Sequence, residues 1–587
     1  MTSQLLLVIK QGLERTEIHV DELKQLQETI HFEICFQQKD DTKLAHLESE
    51  QMHDEANLLK KSNENHLKFR LRENVQELCY IRDKILSDVK CTIENARKVM
   101  GDIMNNLMVW KKEQQLSGNG FQMTQSLDPI QKWCEDLVGI VLTSRQHIQK
   151  IEALKQTLKD NFYLEVGTMQ LKNEVEELLI KLVTETFIVQ KQPSQVMRTN
   201  TKSEASVALL AGASLRIHEV SPRVTVSIIS ETEAKDLQRN PTKTPKSLAG
   251  EIINSQSVMK LDKLTGGVKA NFQNLKIEKS ATALMRSRAI AEQAGGAFGG
   301  DNFFLLFQTK LMMFGTTYHI WTLSLPLVII VHTSQEFKAL SSITWDNAFT
   351  DITKRPIQIP EEVTWVRVAE MLDMKWRSHC RTARGLSEDN IHFLGCKLFQ
   401  NSNLTREEMY SLPVTRCKLF RDNLPNRNFS FWEWFYNLMK ITEKYTHDSW
   451  CAGYILGFAE KSKVERILLQ SDHGTCILRF SDSVLGGITL AYAAVDMLTG
   501  QKSLTLLEPF DSKTLSQRSL GHCLMDLHIR GILLFVYQEP ICIPLLTAFK
   551  MYASSIRSAK TGYTKSGLQF VVGKNIHPDA SLSIFCT

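Results

Sequence analysis

Between Ile81 and Trp110 the apolar side chains fall at Ile81, Ile85, Val89, Ile93, Ala96, Met100, Ile103, Leu107 and Trp110. Every step is three or four residues, which places them on one stripe of a helix. Such a stripe must be covered by another helix. Leu23, Leu26 and Ile30 before it, and Leu137, Ile140 and Leu142 after it, offer partners. The run LSGNG (Leu116 to Gly120) breaks the pattern. Ser126-Leu-Asp-Pro129 restarts it with a capping residue and a proline in the first turn. The spacing predicts helices over 3–57, 63–116, 127–158 and 166–187. The first two are each ~80 Å long at about 1.5 Å per residue. Together they make a long antiparallel four-helix coiled-coil bundle with charged outer faces.

From Glu185 the apolar period changes to two. The runs TFIVQKQ, SVALLAG, SLRIHEV, RVTVSII, NFQNLKIEK, FFLLFQTKLMM and YHIWTLSLPLVIIVH read as strands separated by Gly, Pro, Asn and Ser. Short strands punctuated this way suggest a β-sandwich or barrel over 188–355. Ser280 to Gly300 is a loop by composition, and its glycines lack the GK[ST] of a phosphate loop. Segment 360–445 is mixed and helical, with Trp365, Trp376, Trp432 and Trp434. Its phrase FSFWEWFYNLMKITEKY reads as a helix whose aromatic face packs into a core.

Composition sharpens the division. Of 14 prolines in 587 residues, only Pro129 falls in the first 192, as helix interiors require. The length suits three to five domains at about 150 residues each. A hydrophobic fraction of 43% and a charged fraction of 23% exclude a disordered or collagen-like chain. The 70 basic and 65 acidic residues leave a net +5, which excludes a histone-like polycation but not a local basic patch. The 12 cysteines form no CxxC and no zinc-ligand spacing, and read as reduced thiols of an intracellular protein. No metal or cofactor is expected. The N-terminus does not read as a signal peptide. The longest apolar run, Trp321 to Val331, is too short for membrane insertion. HExxH, GxSxG, GxxxxGK[ST] and the kinase signatures are missing, so no enzyme is expected.

The stretch Gly474-Thr-Cys-Ile-Leu-Arg-Phe-Ser-Asp-Ser483 carries the candidate chemistry. It alternates as a strand, with Cys476, Leu478 and Phe480 on one face and Ile477 and Arg479 on the other. A guanidinium in so apolar a strand needs an anionic partner. Ser481 and Ser483 follow at once, and a forked donor beside two hydroxyls suits a phosphate. An internal arginine–carboxylate bridge fits the same residues equally well.

GTCILRFSDSVLGGITLAY resembles the SH2 signature of the STAT family, the signal transducers and activators of transcription. WKKEQQLSGNG, LVTETFIVQKQPSQV, SLPLVIIVHTSQ, WDNAF, PFDSKTLSQRSL and KTGYTK resemble STAT sequence too, in family order. The variants SDS, IVH and WDNAF look closest to the fifth and sixth vertebrate members. The resemblance implies five parts: a coiled coil over 1–187, an immunoglobulin-like DNA-binding domain over 188–355, a helical linker over 356–445, an SH2 domain over 446–553, and a phosphotyrosine tail over 554–587.

It also implies roles. Arg479 would grip a phosphotyrosine phosphate, with Lys461 from the GFAEK phrase and the hydroxyls of Ser481 and Ser483. Tyr563 matches the family phosphorylation site, and reciprocal binding to Arg479 of a second copy would make a twofold homodimer. His332 and Gln335 would reach base edges, and Arg198 and Thr199 the DNA backbone or groove. The implied partners are TTC/GAA palindromic DNA, phosphorylated cytokine receptor tails, JAK-type tyrosine kinases, importins and coactivators. The implied itinerary is from cytoplasm to nucleus on phosphorylation. Four departures stand against the family pattern. The compact domain before the coiled coil and the acidic transactivation tail are expected to be absent. The loop from Ile277 to Asp301 lacks the TEE phrase. QEPICIPLLTAFKMYASS replaces a more charged stretch. The alternative is therefore a truncated adaptor or competitor that binds phosphotyrosine and DNA without activating transcription.

Overall fold

The structure is a computed structural model that describes residues 2–63, 68–157, 165–241, 250–278, 302–495 and 502–552. Tyr563 and the glycine-rich stretch up to Gly300 lie outside them.

The N-terminal half of the fold begins with α1 (Thr2–Ser49), α2 (His53–Ser62), α3 (Lys68–Ser117), α4 (Asp128–Thr157) and α5 (Glu165–Glu185). Sequence periodicity predicts one helix to residue 57; the chain instead turns at Gln51, whose φ is 58°. No glycine or proline marks that turn in the sequence. Ile85, Val89, Ile93, Ala96, Met100, Ile103, Leu107 and Trp110 are buried in one stripe. α1 and α3 run antiparallel, as Thr2 bonds Asp102 and Asn74 bonds Glu33. α4 and α5 do the same, as Arg145 pairs Glu176 and Lys172 pairs Glu152. α4 lies parallel to α1 instead, with Lys10 on Asp136 and Lys150 on Glu17.

One residue past α5 the chain enters β1 (Phe187–Lys191), followed by β2 (Val196–Arg198), β3 (Ser203–Leu209), β4 (Arg223–Ser230), β5 (Glu251–Ile253), β6 (Gln256–Val258), β7 (Lys260–Leu261), β8 (Val268–Glu278), β9 (Phe303–Met313), β10 (Thr316–Leu323) and β11 (Val328–Ile330). One sheet has the order β1-β3-β8-β5 with β7 on β8, the other β10-β9-β4-β6. Phe272 and Phe307 meet across the two at 5.3 Å. This is the sandwich the period-two runs predict, with one correction. SLRIHEV is not a strand: Ile217–Val220 is one helical turn between Arg216 and Ser221, both at positive φ. The apolar core of the bundle continues without interruption into the sandwich.

The helix Glu336–Phe349 follows, inside the span expected to be all β. Then come β12 (Glu362–Thr364), the helices Trp365–His379 and Glu388–Phe399, β13 (Pro413–Thr415) and the helix Phe431–Ile441. Phe431, Trp432, Trp434 and Phe435 are fully buried, so the aromatic helix is core, as expected. A C-terminal sheet is built from β14 (Ile455–Gly457), β15 (Thr475–Phe480), β16 (Ile488–Val495), β17 (Lys502–Leu506), β18 (Phe535–Gln538) and β19 (Ile541–Pro544). Its order is β17-β16-β15-β18-β19, with β14 also on β15. Helical unit and sheet share a second continuous core.

A polar joint connects the two cores. In the last turn of α3, Gln115 Nε2 donates to the carbonyls of Asp346 (3.3 Å), Asn347 (2.7 Å) and Thr350 (3.2 Å). Asn119 Nδ2 donates to Thr344 O at 2.7 Å, and Lys375 Nζ to Gly118 O at 3.4 Å. Gly118 permits this close approach, because a Cβ there would stand 2.2 Å from the Asn347 side chain.

Candidate anion pocket and nucleic-acid edge

β15 runs through the C-terminal sheet, antiparallel to β16 and parallel to β14 and β18. Its side chains alternate as the sequence predicts. Cys476, Leu478 and Phe480 join the aromatic core, and Ile477 packs with Val464, Leu468, Ala491 and Leu504 on the other face. Arg479 lies on that second face, in a cleft also lined by Lys461, Glu465 and Leu506.

Arg479 is only 3% exposed. Its Nη1 donates to Ala459 O (3.2 Å), Phe480 O (3.2 Å) and Asp482 Oδ2 (2.9 Å). Its Nε is buried with no partner among the described residues. One nitrogen thus makes these three contacts for a group that has five donors. The arginine has a carboxylate partner in Asp482, and it also faces a cleft with a second cation at its rim.

The other expected residues differ in placement. Lys461 opens the helix Lys461–Gln470 and is exposed. Its neighbour Lys463 is committed to Asp389 (2.7 Å) and Glu539 (3.2 Å). Ser481 is buried, and its hydroxyl accepts the backbone N–H groups of Ser483 (3.4 Å) and Val484 (3.2 Å). It therefore folds the turn after β15. Ser483 is exposed on that turn.

Two groups at this site go beyond the residues that the sequence singles out. Asp482 lies inside the same short run, between the two serines. Lys397, from the helix Glu388–Phe399, carries no sequence signal. Its Nζ donates to the Asp482 carbonyl at 3.4 Å and sits 4.6 Å from the Trp434 ring centre. Burial lowers its pKa, and the Asp482 charge opposes that shift.

A second group of expected residues meets at one end of the sandwich. β2 and β11 pair in parallel with Arg198 opposite Ile330, and Thr199 N donates to Ile330 O at 3.0 Å. His332 follows two residues after Ile330, so Arg198 and His332 leave the ladder at the same end, both exposed. Thr199 is buried in the turn. Asn200 then turns at φ 64° and donates its N–H to Ile277 O at 3.1 Å. Gln335 turns inward, and its Oε1 accepts Val331 N (2.9 Å) and His332 N (3.2 Å). It holds the loop that presents His332.

Comparison with known proteins covers most of the chain. Family models match in series: the STAT transcription factor coiled-coil domain over residues 3–179, the STAT DNA-binding domain over 191–330, and the STAT linker domain over 352–435. They fall on the bundle, the sandwich and the helical unit. The Drosophila melanogaster protein "Signal transducer and transcription activator" is 34% identical over 436 residues, covering 73% of this chain and 54% of its own length. The chain thus spans about half the length of that curated relative. A solved chain in "Crystal Structure of STAT2 in complex with IRF9" is similar at 14% identity and a TM-score of 0.26, over 31% of this chain and 95% of that one. A likeness that low adds no weight. Among the described residues no helix is long and apolar enough to cross a membrane. The three consecutive domain matches and the fly relative agree: this chain belongs to the STAT family of signal transducers and activators of transcription.

Proposed function

We propose that the chain is a phosphotyrosine-switched, sequence-specific DNA-binding protein that activates transcription in JAK-STAT signalling. The observation that carries this is Arg479: a buried guanidinium with spare donors, in a cleft edged by Lys461. A phosphate has the charge and the oxygen geometry to take those donors. We read the C-terminal sheet and its helices as an SH2 domain over 446–553, following a coiled coil over 1–187, a DNA-binding domain over 188–355 and a linker over 356–445.

In this reading the tail over 554–587 supplies the ligand. Phosphorylated Tyr563 of each chain enters the Arg479 pocket of the other, so each dimer has two such contacts. Asp482 must give way or share the arginine as the phosphate arrives. An unphosphorylated tyrosine has nothing to offer in exchange, which makes the pocket a switch.

The twofold dimer then presents two copies of the Arg198–His332 edge to TTC half-sites that face each other, that is, to a TTC/GAA palindrome. Arg198 neutralises backbone phosphate, and His332 reads a base edge from the loop that Gln335 braces. The protein waits in the cytoplasm, is phosphorylated by a receptor-associated kinase of the JAK type, and enters the nucleus as a dimer. A gel shift on a TTC/GAA palindrome tests the reading. Binding is expected only after Tyr563 phosphorylation, and a Tyr563→Phe chain should not respond. Equal shifts with and without phosphate would overturn it. A reporter assay with this chain alone then separates an activator from a competitor.

A further inference from the structure

Where the bundle, the sandwich and the helical unit meet, a cavity of about 300 Å³ opens, distinct from both surfaces above. That is the low end of the range for small-molecule sites, about 300–1,000 Å³. Its apolar wall includes Ile188, Phe304, Trp321 and Ile357. The Trp321 ring is fixed, because its Nε1 donates to Pro241 O at 3.0 Å.

The charged groups of the wall are unevenly matched. Glu185 is committed to Arg355 at 3.1 Å. Asp346 is committed to Arg416 at 3.4 Å and accepts from Asn302 at 2.8 Å. Lys111 of α3 has neither hydrogen bond nor ion pair with any described residue. It is half-buried, and burial lowers its pKa, Glu185 opposing and Arg355 adding to the shift. Thr350, also in the wall, has a buried hydroxyl with no partner among the described residues. A half-buried ammonium with no bonded anion, beside a buried hydroxyl with no partner, can take the acid group of a ligand. Lys354 adds a further positive charge to the same cavity.

We propose that this cavity binds an amphipathic organic anion, with a flat apolar body against Trp321 and Ile357 and an acid group on Lys111. The proposal is independent of the phosphotyrosine reading, since no residue is shared. Because the walls come from all three units, an occupant fastens bundle, sandwich and linker to one another.

The test uses two fluorescent probes with the same ring body, titrated into the full chain. One is 8-anilinonaphthalene-1-sulfonate, the other N-phenyl-1-naphthylamine, which lacks the sulfonate. Lys111→Gln is expected to weaken the sulfonate probe roughly tenfold or more and to leave the neutral probe nearly unchanged. Lys111→Arg should retain the sulfonate probe, and Trp321→Ala should weaken both. Equal sulfonate affinity in the wild type and Lys111→Gln overturns the proposal. Equal losses of both probes in Lys111→Gln overturn the assignment of Lys111 as the anion's partner. Fluorescence indifferent to Trp321→Ala places the probes elsewhere and also overturns it.

Discussion

Arg479 and Arg198 carry the same guanidinium on a β-strand, yet one is buried in a sheet and held by Ala459, Phe480 and Asp482, while the other stands in solvent at the end of a two-stranded ladder. The buried arginine is already desolvated, so any anion that reaches it gains a strong, unscreened contact. The exposed one keeps its hydration and its salt screening, and can contribute only a modest share of a long-range attraction. Switching should therefore reside in the pocket, where presence or absence of one phosphate decides binding. DNA affinity should be spread over many weak contacts at the sandwich edge.

The largest effect is expected from Arg479→Ala. It should weaken a phosphotyrosyl peptide centred on Tyr563 by about a hundredfold or more, as loss of two charge-assisted bonds at about 1.5–3 kcal/mol each requires. Calorimetric titration checks it, and a loss under about tenfold would place the pocket elsewhere. Asp482→Asn keeps an acceptor for Nη1 but removes the competing charge. It should strengthen the same peptide, roughly several-fold. A weaker peptide would mean that Asp482 orients the arginine rather than competing for it.

The edge should answer more gently. Arg198→Ala should weaken all DNA sequences alike and reduce the salt slope by about one. His332→Ala should shift preference among TTC/GAA spacings at nearly constant salt slope. A sequence-dependent loss for Arg198, or an unchanged spacing preference for His332, reverses the two roles.

The smallest expected effect lies at the joint between the cores. Burial pushes the Asp346 carboxyl up to about 6, against the pull of Arg416 and Asn302. A folded-state value above the unfolded one means that the group's contribution is complete below about 4 and is lost as pH rises to about 6. Thermal unfolding across that window should show a fall in melting temperature that Asp346→Asn lacks. Parallel pH profiles in the two proteins would exclude this carboxyl as the cause.

Much of the fold is legible in the sequence where one rule acts alone. The stripe from Ile85 to Trp110 and the alternation of β15 are single periodicities, and the structure shows both. Sequence reasoning fails where backbone conformation or distant packing decides. Four alternating residues in SLRIHEV are too few to outweigh two left-handed turns. The helix Glu336–Phe349 buries Asp346 and Asn347 to meet α3 and Gln195, contacts no local pattern announces. Lys397 reaches Asp482 across 85 positions of chain, so only the fold brings them together. Asp482 is visible in the sequence, but its claim on Arg479 depends on the turn that Ser481 closes.

The most direct test is sedimentation velocity of the full chain, phosphorylated on Tyr563, in the wild type and in Arg479→Ala. Phosphorylated wild type is expected to be a dimer, and unphosphorylated wild type and phosphorylated Arg479→Ala to be monomers. Mixing phosphorylated Arg479→Ala with unphosphorylated wild type should give only weak heterodimers, since one of the two reciprocal contacts remains. Equal dimer fractions in phosphorylated wild type and phosphorylated Arg479→Ala would contradict the reciprocal switch.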